Sequence, residues 1–200
     1  MRGISKSQGI MLITEEVKTC RRCSLWKTRK NPVIGEGNPD SFIILIGEAP
    51  GYWEDVEGKP FVGAAGKVLE EALREAGLSR REIYITNLLK CRPPRNREPR
   101  RIEINSCAPY LKRQLELMKP RFIVTLGRYS TDYILSNAGF KFTGMKEVRG
   151  RLIETELWDL KVHVLPTFHP AAVLYNVRLK EDLKRDLKLL KIEVEKVMPL

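Results

Sequence analysis

The sequence predicts an α/β fold, a mostly parallel β-sheet covered by helices on both faces. Three observations carry this. Unbroken apolar runs at 42–46 and 122–126 read as strands buried on both sides. Segments with helical spacing alternate with the strands, as crossover helices do. No internal repeat, low-complexity stretch or linker interrupts the 200 residues, so a single domain is expected over 1–200.

The elements follow in order. Residues 1–10 are expected to form a disordered extension. Residues 11–30 read as a short helix leading into a basic loop, in which Lys18, Arg21, Arg22, Lys27, Arg29 and Lys30 meet no acid. The run 42–46 ends at Gly47, and a loop rich in glycine and proline follows. Residues 64–76 place Val68, Leu69, Ala72, Leu73 and Ala76 on one side of a helix, with Gly77 as its stop. Ile83–Leu89 is a second strand, and a Pro/Arg loop from Cys91 to Arg101 leaves it. Residues 102–118 read as a helix ending before Pro120. Phe122–Leu126 is the third buried strand, with a helix over Tyr129–Asn137 after it. Residues 148–157 and 161–166 alternate and are read as a hairpin that supplies the last core strand. Residues 179–197 form a charged amphipathic helix, burying Leu179, Leu183, Leu187, Leu190 and Val194.

In sheets of this kind ligands sit at the carboxyl ends of the strands. Gly47–Gly51, Asn87–Cys91 and His169–Pro170 all fall at such ends. Chain-distant segments thus meet at one edge, as an active site requires.

Composition narrows the chemistry. Lys plus Arg number 36 against 25 Asp plus Glu, a net charge of +11. That excess suits a polyanion, with nucleic acid first. No apolar run is long enough to span a bilayer, and the start lacks a secretory signal, so a cytoplasmic protein with no membrane partner is expected. Glutamine occurs only at Gln8 and Gln114, while Lys, Arg and Glu abound. That bias points to a thermophilic prokaryote.

The four cysteines are Cys20, Cys23, Cys91 and Cys107. A C-x-x-C pair in a polar segment reads as a metal or cluster site rather than a disulfide. Four thiolates suit a tetrahedral zinc or a four-iron, four-sulfur cluster equally. Cys107, at helical spacing, also fits a plain core position.

Other candidates have a bland and a chemical reading. Glycines flank Gly47-Glu48-Ala49-Pro50-Gly51, so the backbone can approach a ligand closely. Carboxylates there and at Glu54-Asp55 can orient water or stabilise a cation, or be solvated acids of a turn. Phe61, in a Gly/Pro loop, is a base-stacking face or a core anchor. Asn87 ends a strand with an amide that can read a base edge, or it caps a turn. His169 precedes Pro170 and can donate to a leaving-group oxygen, or it is an ordinary loop histidine. His163 alternates within a strand and is read as structural. Lys90 to Arg101 holds six basic residues and one acid, fitting phosphate contacts or a solvated loop.

Together these motifs resemble the type-4 (family 4) uracil-DNA glycosylases. The resemblance runs from about Cys20 to Leu174, through Gly47–Gly51, Gly58–Gly63, Thr86–Arg97 and His169–Ala172. The Glu54-Asp55 pair resembles type 4 rather than type 5. It implies a three-layer α/β/α sandwich around a four-stranded parallel sheet. It implies that Cys20, Cys23, Cys91 and Cys107 hold one structural four-iron, four-sulfur cluster, with no nucleotide cofactor. Gly47, Glu48 and Ala49 would line the uracil site, Phe61 would stack on the base, Asn87 would read N3 and O4, and His169 would face O2. Better-known uracil glycosylases carry aspartate where Ala49 stands, so the water would be oriented by Glu48, preferred here over Glu54, or by main-chain carbonyls. Glu54 is then read as excluding the thymine methyl. Arg92, Arg95 and Arg97 would meet phosphates, and Val173 or Leu174, near Arg178, would wedge the duplex.

The implied activity is monofunctional base excision. Uracil flips from single- or double-stranded DNA, its N-glycosidic bond is hydrolysed, and free uracil and an abasic site remain. A monomer is expected. The alternatives are a zinc- or cluster-stabilised DNA-binding domain without catalysis, a glycosylase for hypoxanthine or xanthine, and an electron-transfer protein. The last is poor, because no flavin or dinucleotide fingerprint is present.

Overall fold

The computed structural model describes residues 4–197. Its sheet has six strands, not the four expected. They are β1 (Glu36–Gly37), β2 (Ile43–Gly47), β3 (Tyr84–Asn87), β4 (Phe122–Leu126), β5 (Ile153–Leu157) and β6 (Leu160–Thr167). The order is β1-β3-β2-β4-β6-β5. The four central strands are parallel, as expected. The two extra strands are antiparallel edges. β1 escaped the sequence reading because two residues carry no periodicity. β5 and β6 form the expected hairpin, closed by Trp158 and Asp159 with φ of 48° and 62°, the twist that two-residue hairpins favour.

Among the described residues the helices are α1 (Lys6–Thr19), α2 (Tyr52–Glu57), α3 (Ala64–Glu75), α4 (Arg101–Met118), α5 (Arg128–Asn137), α6 (Met145–Val148), α7 (Pro170–Tyr175) and α8 (Leu179–Val197). None is long and apolar enough to cross a membrane. The sheet divides two cores because its strand residues alternate faces. Leu45, Val124 and Leu165 meet α3 and α8 through Leu69, Leu73, Leu183 and Leu187. Ile44, Ile46, Ile123 and Val164 meet α4 and α5 through Leu111, Leu115 and Ile134. This is the expected three-layer sandwich.

The extension expected over 1–10 is corrected from Lys6 onward; residues 1–3 lie outside the described residues. Ser5 caps α1 reciprocally with Gln8, at 3.2 Å and 2.8 Å. A Cβ at Gly9 would lie 2.5 Å from Leu117, so glycine lets α1 settle on α4. Gly9, Ile13 and Val17 are the buried residues of α1, too sparse a stripe to register in the sequence.

Candidate active site

A cavity of about 710 Å³ opens beyond the carboxyl ends of β2, β3 and β6. Glu48, Ala49, Glu54, Phe61, Asn87 and His169 all line it. A second cleft of about 720 Å³ lies beside Gly37 and Arg74 and holds none of the predicted site residues.

Parallel register places Gly47 beside Asn87. A Cβ on Gly47 would press on Asn87 Oδ1 and lie 2.7 Å from Phe61 Cζ. Only glycine lets the amide and the ring close over this strand end. Asn87 is 1% exposed. Among the described residues its Oδ1 is the only buried side-chain oxygen or nitrogen without a hydrogen-bond partner.

Phe61 is held in a left-handed conformation with φ of 52°, a strained state that needs outside support. Arg80 supplies it by donating to the carbonyl oxygens of Pro60 and Phe61. Glu54 supplies more. Its Oε1 accepts from the Val62 and Gly63 amides, each at 2.9 Å. Glu54 thus fastens α2 to the Phe61 loop while lining the cavity. Arg80 carries no sequence signal, since its hold on the Phe61 loop is to backbone carbonyls and its ion pair, to Glu36 at 3.3 Å, is distant in the chain.

His169 caps α7, its Nδ1 accepting from the Ala171 amide at 3.1 Å. The neutral ring therefore carries its proton on Nε2. Burial holds its pKa down to about 4, against the upward pull of the Glu54 carboxylate. Its ring centroid is 5.7 Å from that of Phe61. Gly127, with φ of +89°, is the seat for His169, whose Cβ would be 2.8 Å from a side chain there. Just before it, Thr167 donates to buried Asp186 at 2.6 Å, and Arg149 donates to the same carboxylate at 2.8 Å. Asp186 falls on the apolar stripe of α8 beside Leu183 and Leu187, a signal the sequence reading passed over. His163 stacks on Phe122 at 5.1 Å, a structural position as expected.

Glu48 is half-buried at the cavity wall. Burial raises its pKa to about 7; Glu98 adds to the rise and Arg128 opposes it. Glu98 pairs with Arg128 at 2.7 Å and accepts from the Tyr129 hydroxyl at 2.8 Å. A carboxylate poised near neutrality beside an unsatisfied amide is the arrangement of an acid–base site.

The family model of the uracil DNA glycosylase superfamily matches residues 34–191. A type-4 uracil-DNA glycosylase of Saccharolobus solfataricus is 50% identical over 90% of this chain and 84% of its own length. One of Sulfurisphaera tokodaii is 50% identical over 88% and 80%, and one of Archaeoglobus fulgidus 48% over 88% and 88%. The chain belongs to the type-4 uracil-DNA glycosylase family.

In this type-4 glycosylase all four cysteines face one small enclosed pocket, shared with Val17, Leu25, Trp26 and Tyr110. None is in a disulfide. Arg29 donates to Cys91 Sγ at 3.0 Å, and the Lys90 amide donates to Cys107 Sγ at 3.2 Å. Burial pushes the Cys107 thiol up to about 12, so a bare thiolate there is unfavourable. Among the described residues no three Cys, His, Asp or Glu form a group that would hold a single metal ion.

The basic loop departs from expectation at two residues, Lys90 and Arg97, and α7 departs at one, Val173. Lys90 is fully buried, not phosphate-facing. Its Nζ donates to Thr86 Oγ1 at 2.7 Å, to the Asn87 carbonyl at 2.8 Å and to Gln114 Oε1 at 2.6 Å. Arg97 spends both terminal nitrogens on buried Glu103, at 2.9 Å and 2.5 Å, and so acts as a strut. Val173 packs in the core at 5% exposed, whereas Leu174 is 50% exposed at the cavity mouth. The helical turn of α7 sends successive side chains apart, so Val173, expected as a wedge, is instead a core residue. Arg95 is exposed, and Arg92 lies over the Tyr52 ring.

Proposed function

We propose that this chain recognises uracil in DNA and hydrolyses the bond between uracil N1 and deoxyribose C1′, leaving free uracil and an abasic site. The unpaired Asn87 Oδ1 carries this reading. A buried unpaired acceptor costs about 1–3 kcal/mol, and uracil N3–H is the donor that relieves it. The amide NH₂ then meets O4. Cytosine presents an acceptor at N3 and a donor at C4, so both contacts reverse. The names of the relatives point to the same reaction.

The chemistry follows from the groups present. Uracil leaves the stack and lies on Phe61. As C1′–N1 breaks, its electron pair passes to the base. Asn87 at O4 and the His169 Nε2–H at O2 stabilise the resulting anion, more strongly than they bind the neutral base. Glu48 orients a water for C1′ and accepts its proton, completing the bond from oxygen to carbon. Glu54 stands against thymine by leaving no room for its methyl. Arg92 and Arg95 meet phosphates, and Leu174 enters the duplex where the base departs.

The pocket of four cysteines fits a four-iron, four-sulfur cluster held by Cys20, Cys23, Cys91 and Cys107. Its apolar walls and N–H···S donors suit thiolates sharing a buried charge. When bound, the cluster supplies a structural tie between α1, the Asn87–Cys91 segment and α4, with no redox step. Visible absorption with bound iron and sulfide separates it from zinc. The enzyme is expected to act as a monomer in the cytoplasm of a thermophilic prokaryote.

The test is release of free base from an oligonucleotide with one uracil, beside thymine, hypoxanthine and xanthine controls. Wild type should release uracil only, and Asn87→Ala should lose about 10²–10³-fold, as when one aimed donor is removed. Tight DNA binding without release would replace this reading with a non-catalytic DNA-binding domain. Release of hypoxanthine or xanthine in place of uracil would reassign the substrate.

A further inference from the structure

Beside the cavity mouth α2 carries two exposed aromatics that the mechanism does not use. Tyr52 is 45% exposed and Trp53 57%. Both line the cavity. The rings meet edge to face, with centroids 5.2 Å apart. Trp53 is also seated against Gly63, where a Cβ would lie 3.5 Å from its Cδ1. Two cations gather at Tyr52: Lys30 Nζ 5.5 Å and Arg92 Cζ 5.1 Å from the ring centroid. Arg92 is fixed further by Asn96, which accepts from its Nε at 2.7 Å.

Exposed apolar residues scattered singly mean little, but contiguous ones mark interaction sites, and Tyr52 and Trp53 form such a pair. Tyr52 also carries a pair of cations on its ring, and both aromatics line the cavity that would take the extruded base. Aromatic faces alternating with cations are what hold single-stranded nucleic acid, base on ring and phosphate on charge. We propose that Trp53 is a second base-stacking subsite, which holds the nucleobase adjacent to the extruded uracil in single-stranded DNA. Tyr52 fixes the indole edge-on, and Lys30 and Arg92 take the phosphate between the two nucleotides. In duplex DNA the neighbouring base stays paired and stacked, so the ledge acts on single strands. This inference rests on the uracil-excision reading above.

The probes are a single-stranded oligonucleotide with one uracil, the same strand with each flanking nucleotide in turn replaced by an abasic tetrahydrofuran spacer, and the matching duplex. Trp53→Ala should raise KM on the intact strand roughly tenfold, the size of one lost base–aromatic stack, with the loss falling on KM rather than kcat. The spacer on one side should cost wild type a similar factor and cost Trp53→Ala little more. Trp53→Phe should recover most of the loss, and the duplex should respond less than twofold. Wild-type fluorescence should be quenched by the intact strand more than by the spacer strand. Additive losses from variant and spacer, or equal losses on strand and duplex, would overturn the ledge. If wild type released no uracil, excision would fail, while quenching and strand affinity would still decide the ledge.

Discussion

Replacing Glu48 with glutamine should make the protein more stable and less active, each by an amount set by the same buried charge. Burial raises the Glu48 pKa from 4.5 to about 7. A group raised in the folded state stabilises it below the unfolded pKa and loses that contribution as pH rises through the folded one. The window is therefore about pH 4.5 to 7. The full shift corresponds to roughly 3 kcal/mol, and half-exposure to the cavity screens it to about 1–2 kcal/mol. At pH 8 Glu48→Gln escapes this cost, and its melting temperature should rise by about 3–6 °C. At pH 5 the two proteins should melt alike. Activity should move the other way. A base of pKa about 7 is about one-tenth ionised at pH 6, so the wild-type single-turnover rate should fall about tenfold between pH 8 and 6. Glu48→Gln should lose about 10²–10⁴-fold and show no such limb. Glu98→Gln should shift the limb to lower pH and Arg128→Gln to higher pH, because those charges push Glu48 in opposite directions. Calorimetry at the two pH values and quenched-flow uracil release supply the measurements. A variant that kept the acid limb would refute the assignment of Glu48 as base.

The other expectations concern the frame around Glu48. Gly47→Ala forces a methyl against Asn87 Oδ1 and Phe61, and should depress kcat/KM at least tenfold, with a smaller effect on melting. Lys90→Met leaves Thr86, the Asn87 carbonyl and Gln114 without their shared donor; denaturant titration should show a loss of about 1–3 kcal/mol. His169 behaves opposite to Glu48. Its lowered pKa costs the fold stability as pH falls from 6.5 towards 4, so His169→Gln should flatten the acid side of the stability curve while abolishing activity. Leu174→Ala should slow excision from duplex more than from single strands, whereas Val173→Ala should cost about 2 kcal/mol of stability and leave that ratio unchanged.

The parallel strands were legible because burial on both faces writes an apolar run that little else imitates. The site residues were legible through their spacing around strand ends, where glycine, asparagine and histidine carry distinct chemistry. What escaped depends on contacts that leave no periodic trace. Lys90 reads as one more cation in a basic loop, yet its head is consumed by Thr86, Asn87 and Gln114. Arg97 reads as a phosphate contact, yet Glu103 claims it. Val173 and Leu174 are neighbours of similar polarity, and only the pitch of α7 separates core from surface. Helix α2 spans only six residues between Gly51 and Gly58, too few to show a helical period, so its aromatic pair reads as part of a Gly/Pro loop.

The two antiparallel edges bear on how the molecule fares when crowded or hot. A sheet of four parallel strands would end in two open rows of amides and carbonyls, ready to recruit another chain. Here one border is β1, only two residues long and ending at Gly37. The other is β5, whose exposed residues are Glu154 and Glu156. A stub too short to template pairing and a strand whose outward carboxylates repel their like both discourage aggregation. Colloidal solubility is thus written into the margins of the sheet, away from the residues that read the base.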